Sequence, residues 1–206
     1  MIGGGTKNDA SGLLSAIDGG SVNVTSASDG WIGGGWRNTI NASTSGSISG
    51  GSENAVGGAN ASIAGASGNR ANGTDGAVLG GQTNNETGVK GAIVAGQQNN
   101  DTAADAAILA GENNFVSGTS GAILGGSSNS VVTSNGSIVA GDDNQENGNG
   151  GAILGGTDNT ASGISATVSG GDSNLASGMD STVAGGYLEG SSVTDWTEVG
   201  QSSFQP

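Results

Sequence analysis

Residues 77–106 read AVLGGQTNNETGVKG AIVAGQQNNDTAADA, which are two consecutive 15-residue segments that align without a gap. In each segment a small residue precedes an aliphatic β-branched residue, Val78 or Ile93, which we call the anchor. Gly follows the anchor by three residues and Asn follows it by six. We name these places plus three and plus six, and use the same convention for the rest of the repeat.

The anchor recurs along almost the whole chain at 15-residue intervals, apart from one 16-residue interval between Ile32 and Ile48. The anchors are Ile2, Ile17, Ile32, Ile48, Ile63, Val78, Ile93, Ile108, Ile123, Ile138, Ile153, Val168 and Val183. Gly stands at plus three in each repeat except at Ala66, and Asn stands at plus six until Glu189 replaces it. With 44 Gly and 33% hydrophobic residues the composition alone suggests disorder, but a disordered chain keeps no such register.

A period of 15 residues is too short for a helix pair or a propeller blade, and it suits one coil of a β-solenoid. Val and Ile favour strands, whereas Gly and Asn provide the positive φ angles of tight turns. We therefore predict an all-β parallel solenoid of about thirteen coils over 1–186, rising about 4.8 Å per coil. The 16-residue interval predicts one extra residue within 39–47, and 187–206 has no repeat.

The Asn residues at plus six are predicted to be turn residues stacked into a side-chain ladder. The ladder residues are Asn54, Asn69, Asn84, Asn99, Asn114, Asn129, Asn144, Asn159 and Asn174. A ligand or ion site at this column is the alternative.

Composition also bounds the function. The chain has no Cys and no His, which excludes disulfides, thiolate metal sites and His-dependent catalysis. Its net charge of −14 argues against nucleic-acid binding, and it has no apolar run long enough for membrane insertion. Glu86, Asp101 and Glu146 share the plus-eight column, where we expect a solvated face rather than a carbohydrate-cleaving or calcium site. We predict no catalytic residue, no cofactor and no metal.

A second apolar column follows the anchor directly, at plus one. Its members are Leu79, Val94, Leu109, Leu124, Val139 and Leu154. Neighbouring strand residues point to opposite faces, so this column and the anchors cannot both face the interior of the coil. A second apolar stripe in a soluble protein indicates an interface, and we predict that these residues mediate self-association.

Two repeats show a family resemblance best: Ser47–Ala61, SISGGSENAVGGANA, and Val168–Thr182, VSGGDSNLASGMDST. Each has a small residue before the anchor, Gly at plus three, a small or apolar residue at plus eight and Gly at plus ten. The pattern resembles the head repeats of YadA-like trimeric autotransporter adhesins and related repeats in phage and cyanophage fibre proteins. The resemblance implies a left-handed parallel β-roll and a homotrimer. Asn at plus six, where the bacterial heads typically have Ala, is a departure from that pattern.

The resemblance, with Met1 in frame and no secretion or anchor segment, leads us to expect a non-enzymatic virion surface protein. It would be a fibre, spike or capsid decoration in which Trp31 and Trp36 contact a host glycan or protein. In the tail, 187–206, Trp196 and Phe204 are predicted to anchor the segment on the last coil or on another virion protein. The alternatives are the head of a bacterial adhesin on the cell surface and a monomeric ice- or polysaccharide-binding solenoid.

Overall fold

The computed structural model describes residues 1–41 and 44–194, together with the strand backbone at 197–198. The chain divides into two compact units, Met1–Ala110 and Gly111–Pro206. Each unit consists of parallel two-residue β-strands joined by tight turns, with two strands in every coil. The predicted all-β parallel solenoid with a 15-residue repeat is confirmed, with about twelve turns in the described residues.

In the first unit, fourteen strands form two columns. The first column contains β1 (Asp9–Ala10), β3 (Val24–Thr25), β5 (Thr39–Ile40), β7 (Ala55–Val56), β9 (Arg70–Ala71), β11 (Asn85–Glu86) and β13 (Asn100–Asp101). The second column contains β2 (Ala16–Ile17), β4 (Trp31–Ile32), β6 (Ser47–Ile48), β8 (Ser62–Ile63), β10 (Ala77–Val78), β12 (Ala92–Ile93) and β14 (Ala107–Ile108).

The second unit has twelve strands in the same arrangement. Its first column contains β15 (Phe115–Val116), β17 (Ser130–Val131), β19 (Gln145–Glu146), β21 (Thr160–Ala161), β23 (Leu175–Ala176) and β25 (Gly190–Ser191). Its second column contains β16 (Ala122–Ile123), β18 (Ser137–Ile138), β20 (Ala152–Ile153), β22 (Thr167–Val168), β24 (Thr182–Val183) and β26 (Thr197–Glu198).

Each strand pairs with the equivalent strand of the next coil, so the register equals the sequence period. Val78 pairs with Ile93, and the N–H of Leu79 donates to the carbonyl oxygen of Ile93 over 2.9 Å. The register becomes 16 residues around the longer interval, where Trp31 pairs with Ser47 and Thr39 with Ala55. The extra residue lies between Asn41 and Thr44, in a turn, because both flanking strands keep their normal length.

The core of each unit is the narrow interior of the coils. The anchors from Ile17 to Val183 are at most 1% exposed, so the prediction that they face inward is confirmed. Ile2 differs, because it forms only an isolated bridge with Ile17 and is 47% exposed. The residue at plus eight also faces inward, and a small residue, such as Gly76 or Ala106, lies opposite it just before the next strand.

The turns use positive φ angles at plus three, plus five and plus twelve. In one coil these are Gly81, Thr83 and Lys90, with φ of 89°, 57° and 58°. The Asn column has none of these angles, so its residues are not the left-handed turn residues that we expected. The plus-five and plus-twelve side chains are mostly short polar ones because these tolerate the left-handed region better than β-branched or bulky side chains do.

The predicted end of the repeat at residue 186 is wrong for the described part of the tail. Leu175 pairs with Gly190, and Val183 pairs with Glu198, each with the 15-residue register. The N–H of Glu189 still donates to Oδ1 of Asn174 over 2.9 Å. The path continues because parallel pairing uses backbone groups, which do not require the Gly and Asn columns. Trp196 and Phe204, the predicted anchors, lie outside the described residues.

Candidate functional site

The most distinctive surface feature is the outer face of the second strand column, which we call the apolar face. The anchor points inward, so the small residue before it and the aliphatic residue at plus one both point outward. In the first unit the plus-one residues are Leu79, Val94 and Leu109, which are 52%, 39% and 42% exposed. In the second unit they are Leu124, Val139 and Leu154, which are 45%, 43% and 50% exposed.

The apolar face carries no charge in these coils. The residues before the anchors are Ala or Ser, and the charged side chains of the same coils stand at other positions of the repeat. Six large aliphatic side chains are thus exposed in an otherwise acidic chain. Such a surface is costly to hydrate, which is the usual property of an interface.

Trp31 lies on the same face, one position before the anchor Ile32. Its ring atoms Cζ2 and Cη2 lie 3.1 Å from where a Cβ on Gly33 would stand, so the indole covers the place of the missing plus-one side chain. Its Nε1 donates to Oδ2 of Asp18 over 3.1 Å. The structure therefore places Trp31 on the apolar face of the first unit, 39% exposed.

Trp36 lies on the following turn and is 45% exposed. The guanidinium of Arg37 stacks over its ring, 4.9 Å from the centroid, and pairs with Oε1 of Glu53 at 3.4 Å. Arg37 and Glu53 also line a shallow groove of about 400 Å³ with Thr39 and aliphatic side chains. An aromatic ring beside paired charges is a surface that can contact a polar ligand. Trp31 and Trp36 thus stand at different positions of the repeat, in a strand and in a turn.

The Asn column is a buried hydrogen-bonded ladder. In the first unit, the backbone N–H of Asn84 donates to Oδ1 of Asn69 over 3.0 Å. Its own Nδ2 donates to the carbonyl oxygens of Gly80 and Gly96 over 3.0 and 2.9 Å. In the second unit Asn144, Asn159 and Asn174 make the same bonds. From Asn23 to Asn174 each Asn is at most 1% exposed, so these amides hold the coils together.

Three carboxyl groups lie inside the coils, and the solvated face that we expected for them is wrong. Glu86, Asp101 and Glu146 are all 0% exposed. The plus-eight position points inward like the anchor, and the backbone gives the side chain no other direction. Glycine makes the room: a Cβ on Gly76 would lie 1.9 Å from Oε2 of Glu86.

Burial changes the acidity of these groups because it disfavours the charged form. It raises the pKa of Glu86 from 4.5 to about 8, with a further contribution from Asp101 and an opposing one from the N–H of Gly73. Burial raises the pKa of Asp101 from 3.8 to about 6, and the N–H of Ala103 opposes it. Burial raises the pKa of Glu146 from 4.5 to about 7, and the hydroxyl of Thr133 opposes it.

A signal for this burial is present in the sequence. The same column holds Ile40, Val56, Val116 and Val131, all of which are fully buried. Aliphatic residues at plus eight in other coils indicate that the position faces the interior, whatever residue occupies it. Because the acids were considered by charge rather than by column, this signal was missed.

The described residues contain no group of three or more His, Cys, Asp or Glu side chains arranged to hold a metal ion. Over the same ranges, the structure has no helix with the length and apolar character needed to cross a membrane. No protein-family model matches this chain, and no curated protein matches it either.

Proposed function

We propose that this chain is a non-enzymatic structural protein that self-associates through its apolar face as a homotrimer. It serves as a fibre, spike or capsid decoration on a virion surface. The observation that carries the proposal is the row of exposed Leu and Val side chains on an uncharged strand face. The resemblance of the repeats to those of phage fibre proteins supports the trimer, its left-handed coil and the virion location.

A second copy of the chain is the occupant that this face fits best. Every copy has the same small and aliphatic residues in the same register, so parallel copies would bring Val94 next to Val94 around a shared axis. The net charge of −14 opposes association wherever acidic surfaces meet. The apolar face is where copies approach without bringing such charges together. A thin coil with few buried aliphatic residues also gains stability from this extra burial.

The mass in solution tests the association. Sedimentation at micromolar concentration should give three times the chain mass of 19.4 kDa. Val94→Lys places like charges against one another at the interface and should lower the association constant by at least tenfold. Val89→Lys is the matched control, since Val89 is 50% exposed and lies outside the apolar face. A stable wild-type monomer, or equal effects of the two variants, would contradict the proposal.

The location is tested separately. An antibody against the folded chain should label purified virus particles by electron microscopy. Labelling of bacterial cells without virus would favour the alternative, the head of a trimeric adhesin. A monomeric mass together with ice or polysaccharide binding would favour the third candidate, which needs no partner copy.

The exposed Trp36 favours an additional contact with a host glycan or protein, because a flat aromatic ring stacks well on sugar faces. Binding to a panel of immobilised glycans should fall at least tenfold in Trp36→Ala. Trp31→Ala measures whether the other Trp contributes to the same contact. Full binding by both variants would remove the two Trp residues from the proposed receptor surface.

A further inference from the structure

Glu86 and Asp101 occupy paired positions on neighbouring strands of the first unit, β11 and β13. Oε1 of Glu86 and Oδ2 of Asp101 lie 2.7 and 2.8 Å from the point where a Cβ on Gly91 would stand. The two oxygens are therefore no more than about 5.5 Å apart. Two carboxyl groups are thus directed from adjacent coils into one narrow space, which exists because residue 91 has no side chain.

One oxygen of each carboxyl has a backbone partner and the other has none. The N–H of Gly73 donates to Oε2 of Glu86 over 3.3 Å, and the N–H of Ala103 donates to Oδ1 of Asp101 over 3.1 Å. Oε1 of Glu86 and Oδ2 of Asp101 are buried without a hydrogen-bond partner. An ionised, unpaired carboxylate in this position would be strongly unfavourable.

No cation in the described part of the first unit compensates for these charges. The strand residues packed against the pair from within the coil are Ala71, Val78 and Ile93, all uncharged and buried. The charged residues of the same strands and turns are exposed at the surface: Arg70, Asp75, Lys90 and Asp105. The acids therefore face each other, backbone groups and aliphatic side chains.

We propose that Glu86 and Asp101 form a buried carboxyl pair that holds protons in the folded state, so that folding of the first unit is coupled to proton uptake and weakens as the pH rises. A neutral carboxyl group needs no counter-ion, and its O–H can donate where an anion would only accept. The pair makes this part of the solenoid a pH-responsive element. The proposal is independent of the function proposed above.

The direction of the pH effect is opposite to that of ordinary acid denaturation, in which paired carboxylates lose stability on protonation. Here each group has a higher pKa in the folded state than in the unfolded chain. Their stabilisation is complete below pH 3.8 and is lost as the pH rises to about 8. Above about pH 6 only Glu86 retains its proton, so the folding constant should fall about tenfold per pH unit there.

Urea unfolding of the full chain between pH 5.0 and 8.5, at one protein concentration, tests the proposal. Glu86→Gln keeps the shape of the side chain but does not ionise. We expect it to remove about a hundredfold of the decrease in the folding constant between pH 6 and 8. Asp101→Asn should act mainly below pH 6, while Asp105→Asn, in the exposed turn of the same coil, should leave the pH profile unchanged.

Carboxyl ¹³C NMR of the wild-type protein gives a second readout, which does not require a variant to fold. The Glu86 resonance should titrate near pH 8 and the Asp101 resonance near pH 6. Titration of both groups near their ordinary values would overturn the proposal. An unchanged pH profile in a folded Glu86→Gln protein would do the same.

Discussion

Asn69 accepts a hydrogen bond through its side-chain Oδ1 from the backbone N–H of Asn84, the equivalent residue of the next coil. The bond joins a side chain to the backbone across 15 residues, and it recurs at consecutive coils in each unit. Each Asn also donates to two carbonyl oxygens of the neighbouring turns. The column therefore satisfies buried backbone groups between the two strands of a coil, where no strand pairing is available.

Asn84→Ala should destabilise the protein by about 2–4 kcal/mol, because it leaves the N–H of Asn99 and the carbonyl oxygens of Gly80 and Gly96 without this partner. Urea unfolding measures the effect. The matched control is Asn85→Ala, which removes one half-buried bond of 2.8 Å to Asn100 and should cost about 1 kcal/mol. Equal losses would show that the ladder is not a special source of stability.

The periodic part of this structure could be predicted from sequence. The anchors, their inward direction and the outward direction of Leu79 and its equivalents all follow from strand alternation applied to a 15-residue repeat. The two units have the same local structure because each coil presents the same pattern to the next. Prediction worked where a residue type and a repeat position point to the same environment.

Prediction failed where the residue type and the position disagree. Glu86 is charged by type but stands in a column that faces the interior, and the backbone decides its direction. Residues 187–194 lack the Gly and Asn pattern, yet they stay in the coil because backbone pairing extends beyond the repeat signature. Trp31 was considered apart from the apolar column because only the structure shows its ring lying over Gly33.

Glu146 should make the second unit pH-dependent as well. Thr133 Oγ1 lies 3.0 and 2.8 Å from Oε1 and Oε2 of Glu146, and this donation stabilises the ionised form. Thr133→Val removes the donor and should raise the pKa of Glu146 above about 7, as ¹³C NMR would show. Since ionisation of Glu146 opposes folding, the variant should lose more stability at pH 8 than at pH 5. Thr119→Val, in an exposed turn, is the control and should show no such difference.

Glycine at plus ten should be required for close contact between coils rather than for backbone conformation. Gly88 does not have a positive φ, but a Cβ there would lie 1.8 Å from the carbonyl oxygen of Ala103, which is backbone and has little freedom to move. Gly88→Ala should therefore cost about 3 kcal/mol or more, since the coils must separate to relieve the overlap. At Gly80 a Cβ would meet only the carbonyl oxygen of Val94, at 4.0 Å. Gly80→Ala should change stability by less than about 1 kcal/mol, and it should stabilise if anything, because alanine restricts the unfolded chain. Thermal unfolding of the two variants beside the wild type measures both effects, and a tolerated Gly88→Ala would show that neighbouring coils are not held this tightly.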